Sequence, residues 1–246
     1  MEIPDWHKRF KQQAGWTENL RSYLLSRIEL PQDAKVLDVG CGTGALLPEF
    51  AARSSITIGL DINFSRLTFA QTAVSEPNLL CADANNIPLP SACFDLTFCH
   101  YMLLWFSKPL VGISEMARVT REGGYVIAFA EPDYQARIDY PEVFQKIGEL
   151  QNHSLRFQGV NLIIGRQLGQ LFTQAGLKDV RTGVLAGEWT DLSQNDFEAE
   201  WSVIAYDLGG LVATEKILDM RAEAKEAWLS GSPTLYVPTL YAFGRV

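Results

Sequence analysis

The sequence predicts an α/β fold in which a parallel sheet is covered by helices on both faces. Three observations carry that expectation: strand-like runs alternate with helical patterns, these runs are apolar and β-branched over most of their length, and several of them end in a carboxylate. In chain order, Thr17 N-caps a helix reaching Ile28, and Val36 to Val39 is the first strand. That strand runs into Gly40, Gly42 and Gly44, and a helix follows over Ala45 to Ala52. Ser55 to Asp61 reads as a second strand, Asn78 to Ala84 as a third, and Phe94 to Phe98 as a fourth. Ser107 and Pro109 mark a helix start, with Leu110, Ile113 and Ala117 at helical spacing until Gly123-Gly124. Tyr125 to Ala130 is strand five. Leu168, Leu171, Phe172 and Ala175 make one helical face stopped by Gly176, and Val180 to Leu185 and Leu235 to Arg245 are the remaining strands.

Length and composition fit one unit over residues 1–246, with 47% hydrophobic residues available for a core. The formal net charge of -8, with 21 scattered Lys and Arg, argues against gripping nucleic acid, which needs a basic stripe. Apolar runs are of strand length, so no membrane span is expected, and Met1 to Asp5 lacks the charged and apolar regions of a signal peptide. A cytoplasmic protein is the expectation. Cys41, Cys81, Cys93 and Cys99 lack C-x-x-C spacing and read as reduced packing residues, with no metal site. Oligomeric state is not written in the sequence.

The glycines after the first strand have a physical reason. A strand that turns sharply into a helix, with another molecule close to its backbone, leaves no room for a Cβ. Such a turn is expected to leave N–H groups facing whatever sits above the strand. Asp61 is placed to accept both hydroxyls of a ribose, and Asp83 to meet an exocyclic adenine amine. Each of these acids alone reads equally as a helix N-cap.

Together these residues resemble the class I S-adenosylmethionine-dependent methyltransferases, in particular the type 11 or UbiE-like small-molecule branch. The matching pieces are Val36 to Gly44, Gly59 to Ile62, Ala82 to Ala84 with Ile87 to Pro90, Phe94 to Phe98, and Arg118 to Tyr125, in the family's order. The resemblance implies a Rossmann-like three-layer αβα sandwich, a mostly parallel seven-stranded sheet and an antiparallel last strand. It also implies that Gly40, Cys41, Gly42 and Gly44 pass under the methionine portion of S-adenosylmethionine while Asp38 anchors its ammonium. Asp61 would hold the ribose, Ile62 the face of adenine, Asp83 its amine and Ala84 its edge. His100 would border the sulfonium and the transferred methyl. The product would be S-adenosylhomocysteine and the acceptor a small molecule.

A nicotinamide-dependent oxidoreductase is the rival within the same architecture. Its loop spaces glycines as G-x-G-x-x-G, whereas the third glycine here falls one place early and the loop carries no cation. A cofactor-binding module without catalysis is a further alternative. For a general base, His100 combines a near-neutral intrinsic pKa with its expected position, and Glu131 ends strand five beside the pocket. Asp133, Tyr101, Tyr134 and His153 are further lining candidates, and Trp105, Phe106, Trp189, Trp201 and Tyr206 an aromatic set shared between pocket and core. Residues 132–164 and 190–232 interrupt the alternation, above the strands' carboxyl ends, and read as a lid.

Overall fold

The computed structural model describes residues 1–185, 194–231 and 233–246. The strands, in chain order, are β1 (Lys35–Val39), β2 (Ile56–Asp61), β3 (Asn78–Cys81), β4 (Phe94–Cys99), β5 (Thr120–Pro132), β6 (Ile138–Tyr140), β7 (Lys178–Leu185), β8 (Thr234–Tyr236) and β9 (Thr239–Arg245). The helices are α1 (Ile3–Trp16), α2 (Glu18–Leu25), α3 (Leu47–Ala51), α4 (Phe64–Ala73), α5 (Pro109–Val119), α6 (Glu142–Phe157), α7 (Ile164–Gln174), α8 (Gln194–Leu208) and α9 (Thr214–Leu229). Seven strands make one sheet in the order β3-β2-β1-β4-β5-β9-β7. The first five are parallel, and β9 runs antiparallel to both β5 and β7. The expected seven-stranded sheet with an antiparallel last strand is the observed one.

Side-chain alternation explains why helices cover both faces. Leu37, Val39, Val126 and Ala128 join one buried cluster with Ile113, Leu168 and Phe172. Their neighbours Val36, Ile127 and Phe129, with Leu96 and Phe98, join a second with Leu24 and Phe50. A period of two therefore divides β1 and β5 between two cores, which requires an apolar layer on each side. Phe50 stacks on Phe98 at 4.1 Å, and Phe129 meets Phe98 edge-on at 5.3 Å.

Several elements depart from their sequence expectation, each for a visible reason. The first expected helix is α2, and a separate helix, α1, precedes it. Thr17 does not cap α2, because its hydroxyl turns back to the carbonyl of Gln13 at 3.0 Å. Strand five begins at Thr120, pairs with Phe94, and bulges before Tyr125 pairs with Leu96. Gly124 makes the bulge possible, since a Cβ there would lie 2.8 Å from the carbonyl oxygen of Asp95. The last expected strand is broken by Pro238 into β8, which pairs with β6, and β9. As expected, α7 ends where Gly176 takes a φ of +84°.

The two interrupting segments fold together. Residues 132–164 carry β6 and α6, and residues 190–232 carry α8 and α9; of these, 190–193 and 232, with Trp189 just before them, lie outside the described residues. Phe144 and Ile147 of α6, Phe197, Trp201 and Leu208 of α8, and Trp228 of α9 form a third core.

Candidate functional site

β1 to β5 end along one edge of the sheet, and a cavity of about 1010 Å³ opens above them. Its floor is built from the residues that leave these strands, including Asp38, Gly40, Asp61, Asp83, His100 and Pro132. The opposite wall comes from α1 through Phe10, from α6 through Gln151, from α8 through Asp207 and from α9 through Trp228. The volume lies at the top of the roughly 300–1,000 Å³ range of small-molecule sites.

The glycine loop forms the centre of the floor. Gly40 has a φ of +77°, and a Cβ there would lie 2.5 Å from Cγ and 2.6 Å from Sδ of Met102. Gly42 has a φ of +56°, and a Cβ would approach the Phe10 ring at 3.3 Å. The N–H groups of Gly40, Cys41, Gly42 and Gly44 in this turn are engaged within the protein. Gly40 and Cys41 both donate to the carbonyl of Leu60, at 2.7 and 2.9 Å, and Gly42 donates to Oδ2 of Asp61 at 2.8 Å. Gly44 donates to the carbonyl of Cys41 at 2.9 Å and does not line the cavity. Its missing side chain serves packing instead, with Val74, Leu47 and Ala70 crowding the place of a Cβ.

Carboxylates and apolar surfaces surround this loop. Asp38 is buried, and burial raises its pKa well above the usual carboxylate value; the charge of Asp61 adds to the rise and that of Arg21 opposes it. Asp61 is 6% exposed, its Oδ1 accepting from the N–H of Asn63 at 2.8 Å. Ile62 is 70% exposed although it faces the cavity, an apolar surface waiting for a cover. Asp83 uses Oδ1 to hold the N–H of Asn85 at 2.8 Å, and Ala84 is buried at the cavity wall. The Cys41 thiol is pushed well up by burial, so it is inert at neutral pH.

The two candidate bases fall differently. His100 lines the cavity, but its Nε2 lies 2.8 Å from Oγ1 of Thr17 and its ring meets Tyr101 edge-on. Thr17 Oγ1 already accepts from Arg21 at 2.6 Å. Burial, with the nearby Arg21 charge, pulls the His100 pKa down to about 3. The imidazole is neutral and held in place, which fits a wall residue better than a proton acceptor. An NMR titration of its ring should show no protonation between pH 8 and pH 5, whereas a midpoint near 6.5 would overturn this assignment.

Glu131 does not line the cavity. Its Oε1 accepts from the N–H groups of Met102 and Leu103, both at 3.0 Å, and Oε2 accepts from Leu104 at 3.1 Å. It therefore clamps the turn after β4 that presses Met102 against Gly40. The other lining candidates divide as well. Tyr101 and Tyr134 line the cavity and His153 does not, while Asp133 is buried in a bidentate pair with Arg166. Of the aromatic set, Trp105, Phe106 and Tyr206 reach the cavity and Trp201 is core; Trp189 lies outside the described residues.

Sequence reasoning missed α1. Phe10, Trp6 and Arg9 of this helix line the cavity, Nδ1 of His7 lies 2.8 Å from the Thr43 hydroxyl, and Arg9 pairs with Glu200 of α8 at 2.5 Å. Apolar residues at 3, 6, 10 and 14 gave a helical signal, but nothing local indicated that its face would cover a ligand site rather than the sheet.

Comparison with known proteins agrees with this geometry. Residues 37–128, which span β1 to β5 and every acid on the cavity floor, match the family model described as methyltransferase domain. Over these residues the chain is similar to methyltransferases. A malonyl-[acyl-carrier protein] O-methyltransferase of Buchnera aphidicola is 35% identical over 104 residues, which cover 42% of each chain. The chain thus spans about two fifths of the length of such curated relatives. The O-methyltransferase rstn1 of Aspergillus nomiae is 28% identical over 183 residues, 72% of this chain and 75% of that one. Among solved structures, the YcgJ protein of Bacillus subtilis superposes with a TM-score of 0.60 at 16% identity, covering 93% of this chain and 98% of that one. No helix among the described residues is long and apolar enough to cross a membrane.

Proposed function

We propose that the protein transfers a methyl group from S-adenosylmethionine to a small-molecule acceptor bound in the same cavity. The observation that carries this reading is the state of the glycine loop. The N–H groups of Gly40, Cys41, Gly42 and Gly44 are all engaged within the protein, and the charges beside them are the carboxylates Asp38 and Asp61. A pyrophosphate would find those four donors already taken and two carboxylates beside them. A ligand carrying an ammonium and a sulfonium meets charges of the opposite sign, where burial strengthens the attraction. The same argument disfavours a nicotinamide dinucleotide.

The residues present fit the cofactor. Asp38, buried and with a raised pKa, is stabilised in its ionised form by a cationic neighbour. Gly40 and Gly42 leave the floor flat, Asp61 is placed at the end of β2 for a ribose, and exposed Ile62 gains cover from an adenine ring, with Asp83 and Ala84 along its edge. When bound, S-adenosylmethionine supplies an activated methyl on its sulfonium and is left as S-adenosylhomocysteine.

The protein's own contribution is alignment and the exclusion of water. Proximity and orientation of this kind are worth roughly 7–11 kcal/mol in well-ordered sites. Met102, fixed by the Glu131 clamp, and the neutral His100 border the floor, while α1 and α8, joined by Arg9 and Glu200, close the opposite side as a lid. The reading is tested by incubating the protein with S-adenosylmethionine and a panel of amines, phenols and carboxylates, with S-adenosylhomocysteine formation as the readout. Acceptor-dependent formation supports it; cofactor binding without turnover of any acceptor would indicate a binding module.

A further inference from the structure

We propose that Asp207 anchors the methyl acceptor and that the acceptor group it receives is an amine on an aromatic or apolar body. The proposal rests on the methyltransferase reading and adds the substrate class to it. Asp207 is 8% exposed, lies near the end of α8 and faces the cavity. A chain of buried groups holds it there. Arg137 pairs with Asp139 at 2.5 Å and donates to Oε1 of Gln151 at 2.9 Å; this fixes the amide so that its Nε2 donates to Oδ2 of Asp207 at 2.7 Å. The hydroxyl of Ser154 bonds the Asp207 carbonyl. Gly148 makes room for the chain, since a Cβ there would collide with Arg137 and Asp139.

This assembly presents a carboxylate whose Oδ1 has no hydrogen-bond donor among the described residues, whereas Oδ2 is held by Gln151. Two of the cavity's three guanidinium groups are held by carboxylates, Arg137 by Asp139 and Arg9 by Glu200, while Arg66 lies over Phe10 at 5.5 Å, beside the glycine loop. An acceptor carboxylate or phosphate placed at Asp207 would meet a like charge whose neighbouring cations, Arg9 and Arg137, are already paired, at a cost that burial increases. An ammonium would be paired with Asp207 in a cavity whose lining includes the aromatic rings of Tyr134, Tyr206 and Trp228, side chains that attract cations. Burial also raises the Asp207 pKa, partly offset by the Gln151 bond and the charges of Arg9 and Arg137, which makes it a better proton acceptor than an exposed carboxylate.

The step balances. A proton of the bound ammonium passes to Asp207, which frees the nitrogen lone pair. The N–C bond forms as the C–S bond breaks and its electron pair stays on sulfur. The product leaves as a methylated ammonium, and the proton on Asp207 returns to solvent.

The test uses the full chain and matched probes: 2-phenylethylamine and tryptamine, 4-ethylphenol, and the carboxylates 3-phenylpropanoate and indole-3-propanoate. Binding to the protein saturated with S-adenosylhomocysteine is measured by calorimetry, and turnover by S-adenosylhomocysteine release. The amines should bind at least 10-fold tighter than the carboxylates and be the probes turned over. Asp207→Asn, which keeps the Gln151 bond, should weaken amine binding at least 10-fold and lower kcat/KM at least 100-fold, with affinity for S-adenosylhomocysteine unchanged within threefold. Preference for the carboxylates or the phenol, or amine binding within threefold of wild type in Asp207→Asn, would overturn the proposal while leaving the cofactor reading standing. Absence of S-adenosylhomocysteine binding by the wild type would overturn both.

Discussion

Replacing Asp61 with alanine should lower the affinity for S-adenosylhomocysteine by about 100- to 1,000-fold. The expected loss is two charge-assisted hydrogen bonds to a ribose diol, together worth about 3–4 kcal/mol. Asp61 also organises the floor itself, because Oδ2 holds the N–H of Gly42 and Oδ1 that of Asn63, both at 2.8 Å. Alanine removes the ligand contact and the loop support together. Asp61→Asn keeps one acceptor and most of the shape, and should lose about 10-fold. Calorimetric titration of the three proteins checks the order; an alanine variant within threefold of wild type would refute the role. A melting temperature unchanged between Asp61→Asn and wild type would assign the asparagine loss to the ligand contact.

Glu131 should give the largest loss of stability of any of the acids at the strand ends. Alanine would orphan three buried N–H groups and leave a cavity between β5 and the turn after β4, costing about 3–5 kcal/mol. The carboxyl also imposes a pH dependence. Burial raises its pKa from 4.5 to about 7, with the three N–H bonds and the Cys99 thiol offsetting part of the rise. A folded pKa above the unfolded one means that the group's contribution to stability is complete below about pH 4.5. It is then lost as pH rises through 7, a change of about 3 kcal/mol at 1.36 kcal/mol per unit. Glu131→Gln, which cannot ionise, should lack that decline. Urea unfolding of both proteins from pH 4.5 to 8 measures it: wild type should lose about 3 kcal/mol relative to Glu131→Gln as pH rises, and parallel curves would contradict the assignment.

Sheet and loop were legible in the sequence because their causes are local. A central parallel strand must be apolar on both faces, and Val36 to Val39 carries that requirement in four residues, with Asp38 the one acid among them. Gly40 and Gly42 follow from a turn with positive φ at both positions, and at Gly40 a Cβ would also strike Met102. Gly44 has the same spacing but a different reason, the packing of α3 and α4, which spacing alone cannot distinguish. The segments at 132–164 and 190–232 were visible as interruptions of the alternation, and their helices do face the floor across the cavity.

The misread features depend on contacts distant in the chain. His100 reads as a base from its position after β4, whereas the Thr17 contact, 83 positions away in the chain, and burial that lowers its pKa favour a wall residue. Glu131 sits at a strand end, as a catalytic acid would, but its partners are three N–H groups of a neighbouring turn. The glycine loop was expected to offer free donors; the carbonyl of Leu60 takes those of Gly40 and Cys41, and the carboxylate of Asp61 takes that of Gly42. Asp207 carries no local signal, because a single acid on an amphipathic helix usually faces water. Only the packing of α6 against α8 brings Gln151 and Arg137 behind it.

The central claim is that the cavity over the strand ends holds S-adenosylmethionine in one defined orientation. A crystal structure of the protein with S-adenosylhomocysteine tests it most directly. The account predicts the ribose hydroxyls within hydrogen-bonding distance of Asp61, adenine against Ile62 and the amino acid portion over Gly40 and Gly42 beside Asp38. A nucleoside seated away from Asp61, or crystals that take up a nicotinamide dinucleotide in its place, would contradict it.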